Sequence, residues 1–407
     1  MGIRIENKRT KTIFFSFVVM LVCLFVSRAA LSISMILFLL ITLAHNNILQ
    51  QVKDFLNNGL LVSISILFLV PFLSGAWSND AREWMDVLRI KLPLLFFPVS
   101  FAGKWYFNKK QWTILNIVFL SILVVGCCYS LVHYAMGMKE IHEGYLKAKL
   151  IITPLENDHI RFSWLVTIGV ILCFLLMEQS GKKYKRLFIL LIIFFTGYLH
   201  VLAARMGLMC LYVFFIFHAG WLFFNRNNKK RGIVILLSIL LFPTLAWFAL
   251  PTFQNRVKYF LYDISNVRSN VFLPGSNDGA RILSLKGGWN IVLQNPFGTG
   301  AGDLEAEMHY WYATHAPGLP ANERFLPLSE PLVYAGFAGW IGLMAVVIIL
   351  VLPFFVIPLQ YKNYWYYLNA MVAVNFIFDV SIEAQFGVFI YATLVLWWYK
   401  WFNQHPA

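Results

Sequence analysis

Apolar residues run through this chain in long blocks. They lie near 12–27, 29–44, 59–77, 92–104, 112–136, 162–179, 187–203, 206–225, 232–250, 331–357, 364–379 and 386–402. About 20 apolar residues carry a helix across the hydrocarbon of a bilayer. The pattern therefore predicts an all-α polytopic membrane protein of about twelve transmembrane helices, the fourth short enough to read as tilted, broken or re-entrant. A soluble core has no room for so many helices that are apolar all round.

The polar intervals sort by charge. Lys8, Arg9 and Lys11 precede the first block, and Lys109 and Lys110 the fifth. Lys182, Lys183, Lys185 and Arg186 separate the sixth and seventh; Arg226, Lys229, Lys230 and Arg231 separate the eighth and ninth. All four tracts fall on one side, and loops rich in Lys and Arg stay cytoplasmic. Both termini are then cytoplasmic, and segments 78–91, 138–161, 204–205, 251–330 and 380–385 lie outside. The chain reads as a single membrane domain, 1–407, with residues 251–330 forming a partly helical external cap between the ninth and tenth spans.

Composition agrees: 59% of residues are hydrophobic, 13% charged, and the mean hydropathy is +0.68. The net charge of +14 does not indicate nucleic acid, because the basic residues cluster in the short loops that orient a membrane protein. All five cysteines fall in apolar blocks, with neither a disulfide framework nor zinc spacing. The basic-then-apolar N-terminus lacks a small-residue cleavage pattern and reads as an uncleaved first helix.

Inside the cap, "GARILSLKGGWNIVLQNPFGTGAGD" (279–303) combines an arginine, a helical pattern and a glycine run. Ser276, Asn277 and Asp278 are candidate helix caps. Ile282, Leu285, Trp289 and Val292 or Leu293 recur at helical spacing, which predicts an amphipathic helix at the outer membrane surface, ended by Asn295-Pro296. Gly298, Gly300 and Gly302 either make tight turns or present amides to a phosphate or sugar. They do not match a nucleotide-binding loop, which needs G-x-G-x-x-G or a following Gly-Lys-Ser/Thr.

Residues 280–303 resemble the arginine, tryptophan, Asn/His-Pro and Gly-x-Gly-x-Gly-Asp run of the O-antigen ligase and polymerase superfamily. Four further stretches are similar to that family's segments in the same order: "RIKLPLLFFPVSF" (89–101), "NDHIRFSWLV" (157–166), "LAARMGLMCLY" (202–212) and "SIEAQFGVFIY" (381–391). The resemblance implies a metal-independent, inverting glycosyltransferase of the GT-C type that needs no cofactor. It would act at the periplasmic face of the bacterial inner membrane. The donor would be an undecaprenyl diphosphate-linked glycan, and the acceptor a hydroxyl of lipid A-core or another molecule. Polymerases of repeat units and protein O-oligosaccharyltransferases share that donor chemistry; the closing Glu-x-Gln-x-Gly segment favours a ligase. A transporter without chemistry is the reading from another class, but the chain has no visible internal repeat, and Pro71 and Pro243 form no matched pair of helix interruptions.

Departure of a lipid diphosphate develops negative charge, which guanidinium groups neutralise with bidentate donors. Arg205 and Arg281 stand in the matched segments and are the candidates, the alternative being that each snorkels to headgroups. Arg89, with Arg82 and Lys91, would meet donor phosphates or anionic membrane lipids. The family places a histidine and an asparagine where this chain has Leu328 and Ser329, so its usual general base is missing from that slot. Glu330 and His315 are the nearest substitutes. His159 and Arg161 stand at the mouth of the sixth span. Asp379 and Glu383 bracket the last external link, either to orient an arginine, to contact the acceptor, or as structural ion partners. Gly300 and Asp303 complete the candidate set.

Overall fold

The computed structural model describes residues 2–147, 149–225, 228–269 and 276–404, without the side chains of 2–7 and 277. Arg226 of the basic tract lies outside the described residues, as does the side chain of the Asn277 cap candidate. The chain forms eighteen α-helices and no strand among the described residues. They are α1 (Gly2–Cys23), α2 (Arg28–Leu43), α3 (Ile48–Leu56), α4 (Gly59–Ser74), α5 (Ala81–Lys91), α6 (Pro93–Ala102), α7 (Lys109–Met136), α8 (Met138–Tyr145), α9 (His159–Gln179), α10 (Lys182–Leu202), α11 (Arg205–Phe224), α12 (Lys229–Ala249), α13 (Pro251–Arg268), α14 (Asn277–Gln294), α15 (Leu304–His315), α16 (Glu330–Val351), α17 (Lys362–Phe378) and α18 (Gln385–Asn403).

Among the described residues, six helices are long and apolar enough to cross a bilayer: α7, α9, α10, α11, α12, and α16 with its 3-10 extension to Phe354. A seventh arises if α2 and α3, bent by 107°, count as one span. Length and composition thus support a polytopic membrane protein of six or seven crossings. The other predicted blocks also became helices, but several are short: α6 has 10 residues and α4 has 16, with Pro71 inside it. The predicted short fourth span is divided from α5 at Leu92–Pro93.

Helix starts follow local capping chemistry. Asn58 accepts from the Leu60 and Leu61 amides, Asp80 from Arg82 and Glu83, and Asp158 from Arg161. Asn108 and Gln111 form a reciprocal capping box at α7. α9 is the most enclosed of the six, with 78% of its apolar window buried, against 11% for α12, which leaves α12 at the lipid-facing rim.

α14 is helical as predicted, capped by Ser276, whose hydroxyl accepts from the Gly279 amide at 2.8 Å. Of the predicted apolar stripe, Val292 is buried and Ile282 and Leu285 are partly buried. Ala280, Leu283, Ser284, Gly287, Gly288 and Ile291 are buried, whereas Trp289 and Leu293 are exposed. In a bilayer the apolar residues lose nothing by facing lipid, and small residues let helices approach closely. A Cβ on Gly288 would meet Pro327, and one on Gly287 would meet Trp311.

α16 is broken where the glycine run meets it. Ala338 and Gly339 leave helical geometry, Gly339 with φ +60° and ψ −144°. The backbone groups freed by the break are taken up by the loop: Thr299 N donates to Gly336 O at 2.7 Å, Gly300 N to Phe337 O at 3.2 Å, and Trp340 N to Pro296 O at 3.1 Å. Unpaired backbone groups at membrane depth cost several kcal/mol, so a break survives only where protein satisfies it. On the loop's other side, Ala301 N reaches Ser74 Oγ at 3.0 Å and Gly302 N reaches Ser78 Oγ at 3.1 Å. The Asp303 carboxylate accepts from the Asn79 and Asp80 amides at 2.7 and 3.0 Å. The loop is therefore a wedge that locks the cap to α4, α5 and α16, and its amides are committed within the protein. Of the two readings of the glycines, the tight-turn one fits this geometry. Gly300 and Asp303 hold the wedge.

Candidate functional site: an arginine-lined cavity

A cavity of about 730 Å³ opens where the ends of six segments converge. His159 and Ile160 come from the start of α9, Arg205, Met206 and Met209 from the start of α11, and Arg256 and Phe260 from α13. Asp278 and Arg281 come from the first turns of α14, Phe325 and Leu328 from the stretch before α16, and Phe378 and Asp379 from the end of α17. The N-termini of α11 and α14 add partial positive charge at the same place.

Arg205 forms an ion pair with Asp278, and Arg281 donates to the carbonyl of Phe378. Asp263 joins α13 to α14 by accepting from the Ser276 hydroxyl at 2.5 Å and the Asp278 amide at 2.7 Å. Burial pushes the Asp278 carboxyl above its ordinary range, opposed by Arg205. Burial lowers Arg281, opposed by Asp379. Burial, followed by the like charge of Arg205, pulls Arg256 down to about 10, still protonated at neutral pH. Three cations and three carboxylates, Asp278, Glu323 and Asp379, thus line one poorly solvated space, where a fixed charge acts more strongly than in water.

Of the residues singled out from the sequence, Arg205, Arg281, His159 and Asp379 meet at this cavity. The others stand elsewhere. Arg161 grips the turn after α17, donating to Val380 O at 2.5 Å, Ser381 O at 3.0 Å and Asp158 at 2.6 Å. Glu383 pairs with the fully buried Lys91 at 2.5 Å. Glu330, also fully buried, accepts from the Ile382 amide at 2.6 Å and belongs to that same cluster rather than to the cavity lining. His315 stacks on Trp311 at 4.6 Å on the exposed end of α15. Arg89 pairs with Asp86 at 2.6 Å and borders a separate apolar cavity of about 350 Å³ between α2, α5 and α6.

The turn at 379–384 is a polar hub. Arg161, Lys91 and Glu330 fix its backbone from three helices, and Arg281 holds the residue just before it. It delivers Asp379 to the cavity wall while Glu383 points into the Lys91 cluster. The two carboxylates that bracket the predicted link therefore part company.

Two contributors escape the sequence reading. Arg256 lies outside every motif; its only signal is the helical spacing of Arg256, Phe260 and Asp263 on one face of α13. Asp278 reads from sequence as a cap, but it turns inward to pair with Arg205. Leu328, the residue in the histidine slot, does line the cavity. No protein-family model matches the chain, and no curated protein matches it significantly; the resemblance rests on the chain's own motifs.

Proposed function

We propose that this cavity receives the diphosphate of a polyprenyl-linked glycan and that the protein transfers the glycan to a hydroxyl acceptor. It would then be a GT-C-type transferase of the O-antigen ligase and polymerase superfamily. The observation that carries this reading is the convergence of Arg205, Arg281 and Leu328. Arg205 and Arg281 come from two separated stretches that resemble the family, and both line one cavity together with Leu328, the residue in the unmatched histidine slot.

In the proposed reaction the acceptor oxygen attacks the anomeric carbon opposite the departing oxygen. The bond from that carbon to the diphosphate breaks, and its electron pair leaves with the lipid diphosphate. Arg205 and Arg281 neutralise the charge that develops there. The acceptor proton passes to a base, and a positioned base contributes about 10²–10⁴-fold. Asp379, 4% exposed and on the cavity wall, is the better placed group. Glu330 and His315 do not line the cavity, and His159 is the alternative within it. The closing 381–391 segment favours ligation to lipid A-core over polymerisation. The same reading has twelve helices embedded in the bacterial inner membrane, with both termini cytoplasmic.

The test is transfer by purified protein in nanodiscs supplied with undecaprenyl diphosphate-linked glycan and acceptor. Removing one transition-state donor costs about 3–4 kcal/mol, roughly 10²–10³-fold in rate, so Arg205→Ala and Arg281→Ala should each lose transfer on that scale. Near-normal turnover by both variants would defeat the mechanism.

A further inference from the structure

The three guanidinium groups at the cavity are not equivalent. Arg205 is engaged by Asp278, and Arg281 by the Phe378 carbonyl. Arg256 is only 9% exposed, yet its Nε and Nη1 are buried with no hydrogen-bond partner among the described residues. A desolvated cation whose donors go unmet is costly. It also feels the like charge of Arg205. A polyanion between them would relieve both penalties, and an arginine fork matches paired phosphate oxygens.

We propose that Arg256 is the residue that takes the ligand's charge directly: with a turn of its side chain, its two uncommitted donor nitrogens, Nε and Nη1, bind the oxyanions of a lipid diphosphate, flanked by Arg205 and Arg281 on their fixed partners. The inference rests on the cavity being a diphosphate site. It assigns a third binding arginine, one that the matched motifs do not contain.

The experiment uses full-length protein in nanodiscs, with undecaprenyl diphosphate as the probe. Wild type, Arg256→Met, Arg256→Lys and Arg281→Ala are compared by Tm without ligand and by Kd. Arg256→Met should melt at or above the wild-type temperature, because an uncompensated buried charge has gone. It should bind about 10- to 100-fold more weakly. Arg256→Lys, a point charge without the fork, should recover part of that loss. If Arg256→Met melts well below wild type while its folded fraction binds as tightly as wild type, Arg256 is structural and the proposal is overturned. If Arg281→Ala weakens binding and Arg256→Met does not, only the Arg256 assignment falls. If wild type itself does not bind the probe, the diphosphate reading beneath it falls as well.

Discussion

Gly339→Ala isolates the joint between cap and bundle. Gly339 holds φ +60° and ψ −144°, a conformation nearly closed to residues with a side chain. Forcing alanine there costs about 1–3 kcal/mol of backbone strain. The new Cβ would also run into the Pro296 carbonyl. Moving that carbonyl breaks the bond it accepts from Trp340 N and loosens the neighbouring one from Thr299 N to Gly336 O. Each such bond is worth about 1 kcal/mol net. The expected loss is about 3–5 kcal/mol in total, a large fraction of ordinary domain stability. Gly318→Ala is the control: its Cβ would meet no atom within 4 Å, so its effect should stay within about 0.5 kcal/mol. Denaturation in detergent measures both. If Gly339→Ala unfolds at the same denaturant concentration as Gly318→Ala, the wedge does not hold the break in α16 and the argument fails.

Three further outcomes follow from the same geometry. Asp379→Asn should abolish transfer while retaining undecaprenyl diphosphate affinity; unimpaired transfer would move the base to His159. Burial raises the Asp278 carboxyl above its unfolded value, so ionising it weakens the fold. Wild type should therefore lose stability relative to Asp278→Asn as pH rises from about 4 through the raised pKa; a difference independent of pH across that window contradicts the assignment. A cysteine at the exposed Gly318, in a background without reactive native thiols, should react with an impermeant reagent from the periplasmic side, and labelling only from the cytoplasmic side would invert the topology.

The apolar blocks were legible because lipid enforces them: every predicted block became a helix. How many of them cross the bilayer was less so, since α4, α6 and α17 are short and length alone does not separate a crossing from a packed helix. The helix α14 and its apolar stripe were legible from the spacing. The predicted stripe alone does not say which of its residues pack: Val292 is buried while Trp289 and Leu293 stay exposed, and the closely packed face includes Gly287 and Gly288. At the site, Arg205 and Arg281 were legible through motif and loop position. The pairing of Asp278 with Arg205 was not, because it joins helices 73 positions apart. Arg256 was hidden because a lone arginine on an external helix looks like any solvated charge until its burial is known. Glu330 and His315 were chosen for nearness in sequence to a missing histidine, and the chain turns both away from the cavity.

The most direct test of the central claim is a structure of the protein bound to undecaprenyl diphosphate. The account predicts phosphate density within hydrogen-bonding distance of Arg205, Arg256 and Arg281, with the lipid chain leaving toward the outer leaflet. Phosphates seated elsewhere, or a lipid entering from the cytoplasmic side, would contradict it.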